Sequence, residues 1–537
     1  MDAEAWSREL KASGFAGEHT KRFLQIINGI THGVAIDFSG EREVNRTAAN
    51  IPIDEGDVPK VSGVINTDCA KKKKAGPFDE QPFEFFTVSP IGAVPKKSGK
   101  IRVIHHLSYP RGGDSVNDSV EEEELRLSSF GHAARAVVKL GRGCFLIKLD
   151  VEAAYKQVPV RPEDWPLLGF KWEGKWYYER VLPFGLRSSC RIWEWYAAAL
   201  HHLFEKIGVD VVIHYIDDFL FVVRSRDDAA QFLSGTLALT QRLGIPMAPD
   251  KTEGPTTCLT FLGIELDTIK MEARLPMTKL HDIELLTSVW LEKSSASVKE
   301  LQSIAGVLRF AACVVRPGRF FCRSLFALIA ALTKEGGGRE KKYAISAAVR
   351  RDIAWWRSAV VGWNGISILY EQEWTDSITI EFFTDACLSG FGALFGNEWF
   401  EGRWRPEHLA AAQRGEKESM PFLELYAVVT AAATWGADGR WKGKKITFRS
   451  DCMPAVHSLA KGSSPQPHLM FLLRHLALSA MAGQYDFRCV HIAGVENVVA
   501  DVLSRDGDCP QFRALCPNAA ATPTKFCVIP LPRPEEL

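Results

Sequence analysis

VVIHYIDDFLFVV, residues 211 to 223, sets two adjacent carboxylates, Asp217 and Asp218, in the middle of an otherwise apolar run. Burying one ionised carboxylate without a partner is costly, and a second beside it adds repulsion. An apolar strand, a polar tip and another apolar strand read as a β-hairpin whose turn carries Tyr215, Ile216, Asp217 and Asp218. An acidic surface turn is the alternative for an isolated Asp-Asp pair. A third acid changes the balance: in CFLIKLDVEAAY, Asp150 also closes an apolar strand, with Tyr155 five positions later. Three strand-end acids in one domain can converge on divalent cations, which neutralise them and polarise phosphate oxygens. Two metals bracketing an in-line displacement at phosphorus is the chemistry of nucleotidyl transfer.

Length and composition set the frame. The 537 residues are 46% hydrophobic and 24% charged, as expected of a globular, multidomain chain with substantial cores. Basic and acidic residues balance at 65 each, so a nucleic-acid partner must be held by local basic patches. Twelve cysteines are scattered singly with no Cys-x-x-Cys pair, which argues against a zinc ribbon and for a reduced, intracellular setting. The N-terminal MDAEAWSRELKASG lacks the features of a signal peptide, and no apolar run approaches the roughly 20 residues that span a bilayer. A soluble protein without a membrane partner is expected.

The organisation along the chain is α+β. Residues 1–60 read as a helical lead-in, 61–275 as short strands alternating with helices, and 276–375 as mainly helical. In the helical part Val298, Leu301, Ala305 and Leu308 recur at helical spacing. Residues 376–505 read as a separate α/β domain, with SITIEFFTDA, ITFRSD and FRCVHIAG as strands. Residues 506–537 read as an irregular tail.

YIDD in its hairpin, LDVEAAY upstream and LPFGLRSS (Leu182 to Ser189) between them resemble the palm of a retroelement reverse transcriptase, in the order of that family. SPIGAVPKKSGKIRVIHHLS resembles the fingers strands, LGIPMAPDKTE the motif that follows, and FLGIEL the hairpin that grips the primer end. The resemblance implies a right-hand polymerase of fingers, palm and thumb followed by a ribonuclease H-like domain. Asp150 and Asp217 would bind both metals, with Asp218 a secondary ligand. Lys96, Arg102 and Lys251 would contact the incoming triphosphate. Tyr155 would lie under its sugar and exclude a 2'-hydroxyl, and Gly185 would let the backbone approach it. An ordinary core tyrosine is the alternative for Tyr155. Phe184 stands where retroviral enzymes carry glutamine and gypsy-like elements phenylalanine, a departure from the retroviral pattern at the sugar.

Four further acids, Asp385, Glu424, Asp451 and Asp501, resemble the ribonuclease H site in type and order, with His491 ten residues before Asp501 as an aid to product release. Asn497, a helical turn before Asp501, would position a metal ligand or the RNA sugar. The resemblance implies two Mg2+ per site, with Mn2+ a possible substitute. It also implies an RNA template, a DNA primer, deoxynucleoside triphosphates and an RNA:DNA hybrid as partners. GFKWEGKWYYERVLPFGLRSS and HIAGVENVVADVLSRD look most like DIRS-like retrotransposons, with gypsy-like elements second. The chain stops about 30 residues after the ribonuclease region, so a separate recombinase or integrase is expected.

The alternative function is a scaffold that binds nucleic acid without catalysis, or one that retains only the ribonuclease. Intact carboxylates at all seven metal-site positions favour the enzyme. Elsewhere, Lys71 to Lys74 reads as a solvated loop and Glu121 to Glu124 as a solvent face or helix start. The tryptophans of IWEWY and AWWRSAVVGW read as packing. Lys299 and Arg309, beside Leu301 and Leu308, would lie where a thumb helix tracks a duplex.

Overall fold

The structure is a computed structural model and describes residues 1–530 except 96–98, 337, 339, 363–365, 369–372 and 414–418. It divides into two units, residues 1–136 with 143–259, and residues 260–537 with 137–142.

In the first unit, α1 (Ala3–Ala12) starts at an Asp2 cap whose carboxylate accepts the Ala5 N–H at 2.9 Å. Trp6 and Leu10, one turn apart, are fully buried, and the Trp6 indole N–H donates to the Leu243 carbonyl at 3.1 Å. The opening residues are therefore part of the palm core, where the sequence suggested a lead-in of their own. Strands β1 (Ile91–Pro95) and β2 (Ile101–His105) form the fingers hairpin, Ile91 opposite His105. The lysine run differs from expectation at its last member. Lys74 is 3% exposed, paired with Glu179 and, at 3.9 Å, with Asp68. Its ammonium lies 4.9 Å from the Phe170 ring. Apolar surroundings strip its water, so it persists only because two carboxylates replace it.

The palm is built from β3 (Phe145–Asp150), α2 (Ser189–Lys206), β4 (Val211–Tyr215), β5 (Asp218–Val223), α3 (Arg226–Leu243) and β6 (Glu253–Thr256). Its antiparallel sheet runs β6-β3-β5-β4. The two central strands are covered on both faces, which is why FLIKLD and DFLFVV are nearly continuous apolar runs. On α2, Trp193, Tyr196, Leu200 and Phe204 recur at steps of three and four and are all 0% exposed. The unit ends at Leu259, earlier than the expected 275. The reason is pairing: Ile264–Asp267 joins a sheet with Glu272–Arg274 and Ile366–Ile368 instead of the palm sheet.

The helical part of the second unit contains α4 (Met277–Glu292), α5 (Val298–Ala311), α6 (Arg323–Lys334) and α7 (Ala347–Gly362). A capping box of Ser297 and Glu300 starts α5, and its expected face, Val298, Leu301, Ala305 and Leu308, is buried. Lys299 pairs with Glu340 at 3.2 Å, an exposed and weak contact.

The α/β part follows: β7 (Trp374–Asp376), β8 (Phe382–Ala386), β9 (Gly390–Phe395), β10 (Glu398–Arg403), α8 (Ser419–Ala431), β11 (Lys445–Ser450), α9 (Met453–Lys461), α10 (Pro467–Ala482), β12 (Asp486–His491) and α11 (Val498–Asp506). SITIEFFTDA, expected as one strand, is interrupted before Phe382, with Glu381 at φ +50°. Residues 377–381 form a turn between two sheets: β7, which precedes this stretch, runs parallel to β11, while β8, its second half, forms an antiparallel meander with β9 and β10. β11 is also parallel to β12. The tail is not irregular throughout. In α12 (Pro510–Leu515) Phe512 is fully buried with its ring 5.3 Å from Trp399. Beyond it Thr524 N–H donates to the Trp399 carbonyl at 2.7 Å, and Phe526 packs 5.0 Å from Phe400. Two aromatic side chains supply the apolar burial that a proline-rich composition conceals.

Replacing Trp6 with alanine should cost about 3–5 kcal/mol in urea-induced unfolding of the first unit, the usual scale for an emptied tryptophan site. Trp6→Phe should cost far less, because it forfeits one hydrogen bond and keeps most of the packing. A Trp6→Ala loss below about 1 kcal/mol would show that α1 is dispensable to that core.

Candidate active sites

In the first unit the strand register brings the acids together. Asp218 lies directly opposite Asp150 across the β5–β3 pairing, and Asp217 occupies the two-residue turn with Ile216. Ile216 adopts φ +58°, a left-handed conformation that a β-branched residue rarely takes. Such strain, of order 1–3 kcal/mol, persists only where surroundings fix it. Two contacts do so: the Trp193 indole N–H donates to the Ile216 carbonyl at 2.8 Å, and the Val151 N–H donates to the Asp217 carbonyl at 3.0 Å.

Asp150 is 4% exposed, and both its oxygens accept from the Lys251 ammonium at 2.8 Å. Burial works against the charge of Lys251, but the bonds to Asp150 and the field of the acids outweigh it and raise its pKa. Burial, then Asp150, raises the Asp217 pKa. Burial, then Asp217 and Asp150, pushes Asp218 up to about 7. Among the described residues the site thus concentrates more negative charge than its one directly bonded lysine offsets.

Beside these acids a wall forms from Tyr155, Phe184 and Arg102. The Tyr155 and Phe184 rings are 5.2 Å apart, and the Arg102 guanidinium lies 4.9 Å over the Phe184 ring. Tyr155 is hydrogen-bonded to Cys190, and burial together with that bond raises its pKa. Gly185, at φ +115°, passes so close to β2 that a Cβ would sit 1.9 Å from the His105 carbonyl oxygen. Asn117, 3% exposed, fixes this loop by donating to the Gly185 carbonyl at 2.8 Å and accepting from the Arg187 N–H at 2.8 Å. Lys96 lies outside the described residues.

In the second unit, ligand oxygens of Asp385 on β8, Glu424 on α8 and Asp451 just after β11 all lie within 4.8 Å of one another. Among the described residues this is the only group of three or more potential ligands that meets so closely. Asp385 is 4% exposed and Glu424 3% exposed. Ser504 Oγ donates to Asp385 Oδ2 at 2.7 Å, and the Asn497 amide donates to Asp385 Oδ1 at 3.3 Å and to the Thr384 carbonyl at 3.0 Å. Burial, then Asp451 and Asp501, pushes Asp385 up to about 6 against the Ser504 bond. Burial, then Asp385 and Asp451, pushes Glu424 up to about 9. Glu424 Oε2 is buried with no hydrogen-bond partner among the described residues. An orphaned carboxylate oxygen facing two other acids fits a bound cation.

Asp501 stands apart from that triad: its carboxylate accepts from Arg505 at 2.7 Å and is half-exposed. His491 is exposed at the end of β12, in register with Ser450, the residue before Asp451. Gly392 admits α11 against the meander, since a Cβ there would lie 2.5 Å from Leu503 Cβ. Sequence reasoning missed Asn117, Trp193 and Ser504. Ser504 had a usable signal, its place one turn beyond Asp501 on the same helix. Asn117 and Trp193 act through contacts 68 and 23 residues away, which no local pattern encodes.

Residues 94–266 match the family model described as reverse transcriptase (RNA-dependent DNA polymerase). Polyprotein P3 of Commelina yellow mottle virus is 24% identical over 429 residues, covering 78% of this chain and 20% of that polyprotein. The Pro-Pol polyprotein of feline foamy virus is 25% identical over 247 residues, 46% of this chain and 19% of that one. The chain thus spans about a fifth of the length of these curated relatives. A solved structure of the foamy viral protease-reverse transcriptase dRH in complex with double-stranded DNA is similar, with a TM-score of 0.51 and 15% identity. That alignment covers 91% of this chain and 82% of the other and shows the shared right-hand polymerase fold. Residues 94–266 are thus similar to reverse transcriptases, and the chain shares their right-hand fold and is similar to viral polyproteins.

Proposed function

We propose that this protein copies RNA into DNA at Asp150, Asp217 and Asp218. We further propose that it degrades the RNA strand of the resulting hybrid at Asp385, Glu424 and Asp451. The observation that carries the reading is the same in both units: clustered, buried carboxylates with raised pKa values and too few protein cations to neutralise them. Hard divalent cations suit such all-oxygen donor sets, and Mg2+, two per site, is the proposed resident ion with Mn2+ as a substitute. When bound, the ions supply Lewis acidity to phosphoryl oxygens and lower the pKa of an attacking hydroxyl or water.

The chain's own residues account for the rest. Lys251 balances Asp150 in the free enzyme and is positioned to turn to a triphosphate once that carboxylate is otherwise engaged. Arg102 and Lys96 would hold the same triphosphate, with Arg102 steadied by its stacking on Phe184. Tyr155, fixed by Phe184 and Cys190, would exclude a 2'-hydroxyl by bulk. At the second site Ser504 and Asn497 hold Asp385 in one rotamer. Asp501, half-exposed at the site's edge, would be a further metal ligand, and the exposed His491 would assist product release. RNA would be selected there through its 2'-hydroxyls. The similar foamy viral structure, solved with double-stranded DNA, supports a nucleic-acid substrate. The lineage we propose is DIRS-like, with gypsy-like second and a separate recombinase or integrase as partner.

Primer extension on an RNA template and hydrolysis of an RNA:DNA hybrid separate the two activities. Asp217→Asn should lower extension roughly a thousand-fold and spare hydrolysis, and Glu424→Gln should do the reverse, since each loses several kcal/mol of metal-dependent stabilisation. Absence of extension by folded wild type that binds the hybrid would overturn the polymerase reading. Tyr155→Val should raise ribonucleotide incorporation relative to deoxynucleotide. An unchanged ratio would remove Tyr155 from sugar selection.

The raised carboxylates also give a signed pH dependence. A carboxyl whose folded pKa lies above its unfolded value contributes stability that is complete below the unfolded pKa and lost as pH rises through the folded one. With Asp385 at about 6, Asp218 at about 7 and Glu424 at about 9, the thermal midpoint in EDTA should fall steadily from about pH 5 to pH 9. Saturating Mg2+ should offset the fall, most at the alkaline end, and Glu424→Gln should remove its upper part. A midpoint independent of pH in EDTA would show that these groups are not charged at each other's expense.

A further inference from the structure

A cavity of about 420 Å³ in the second unit is lined, among the described residues, by four cations, Arg309 on α5, Arg319, Arg323 on α6 and Lys461 on α9, and by no carboxylate. Among the described residues none of the four has an ion-pair partner, whereas nearby Arg316 is paired with Asp486 and Arg474 with Asp352. Arg323 Nε is buried with no acceptor. The Arg319 guanidinium is held 4.8 Å over the Phe320 ring and 5.8 Å from that of Phe487, which fixes its plane without consuming its donors. Gly462 closes α9 at φ +60°, and a Cβ there would lie 3.1 Å from the Phe320 ring, so the backbone carrying Lys461 passes close beneath Arg319. Four converging cations without an acid repel one another, a cost that an anion relieves. Forked guanidinium groups match the oxygens of phosphate.

The pocket's place in the fold narrows the source of that phosphate. Helix α9 starts two residues after Asp451 and carries Lys461 at its other end. Nine residues at about 1.5 Å each put the pocket roughly 13 Å from the carboxylate triad. At about 3.4 Å per nucleotide that is on the order of four base steps. We propose that the pocket binds backbone phosphates of a nucleic-acid duplex lying across this unit. The inference rests on the nucleic-acid reading of the triad and adds an anchor for the duplex at a fixed distance from it.

The test uses the full chain and a fluorescein-labelled RNA:DNA hybrid in EDTA, with anisotropy measured between 50 and 200 mM KCl. Wild type is compared with Arg319→Gln/Lys461→Gln, both exposed side chains, and separately with Arg323→Gln. The double variant should bind about ten-fold more weakly at 100 mM salt, and its log K against log salt slope should be shallower by roughly 1–2. A slope and affinity equal to wild type would overturn the proposal. Thermal shift with inorganic phosphate or pyrophosphate distinguishes a free anion. Stabilisation of wild type but not of the variant, with hybrid binding unchanged, would assign the pocket to that anion and also overturn it. Hydrolysis in Mg2+ is scored separately. A pocket-dependent salt slope in a wild type that does not cleave would sustain the pocket and remove the ribonuclease reading, and cleavage with an unaltered slope in the variants would do the opposite.

Discussion

The mutual repulsion of buried carboxylates is the constraint on which both units are arranged. Asp150 and Asp218 face each other across one strand pair, and Asp385, Glu424 and Asp451 meet within 4.8 Å. Neither arrangement stabilises a fold, since removing carboxylates from water costs more than isolated hydrogen bonds return. Each must therefore be imposed by surroundings stable enough to carry the cost. In the palm those surroundings are the two central strands, apolar on both faces. In the second unit they are a strand end, a helix and a second strand end that reach one point from different parts of the chain.

Imposition is visible at the turn that carries Asp217. Ile216 would not adopt a left-handed conformation unaided, and the sequence offers no glycine there. The Trp193 indole, on a helix face that also carries fully buried Tyr196 and Leu200, holds the Ile216 carbonyl. The same helix places Cys190 against Tyr155. One turn of α2 thus supports both the acidic turn and the wall beside it. Any change that tilts α2 moves the acidic turn and Tyr155 together.

This division explains what was legible in the sequence. The carboxylates were legible because acids at the ends of apolar strands conflict with their context, and conflict is a signal. The palm strands, α2 and the buried face of α5 were legible from periodicity. What escaped was the support. Asn117 sits in a polar stretch that reads as any turn, and its bonds to Gly185 and Arg187 exist only after the chain has folded back on itself. Lys74 was misread because its neighbours are solvated lysines, and the deciding acids, Asp68 and Glu179, come from elsewhere in the unit. The tail was misread because proline and alanine hide the two phenylalanines that dock it. The turn at residues 377–381 was invisible because Ile378, Thr379 and Ile380 are good strand formers, and only the folded chain, with Glu381 at φ +50°, shows it.

The two sites resolve one electrostatic problem by different means. In the palm, among the described residues, three ionised carboxylates and one ammonium give a formal charge of minus two, since Lys251 covers Asp150; with Asp218 pushed up to about 7, a proton offsets part of that charge at neutral pH. In the second unit no lysine or arginine touches the triad among the described residues. There the raised pKa of Glu424, about 9, keeps a proton on it at neutral pH, so three carboxylates and one proton again give minus two. One divalent cation balances that charge. On the two-ion reading proposed above, the second ion at either site has no protein charge left to meet and must be matched by the substrate's own phosphates. Ion uptake and substrate binding would then be one coupled event at each site. In the palm the coupling would release an ammonium toward the triphosphate, and in the second unit it would release a proton to solvent.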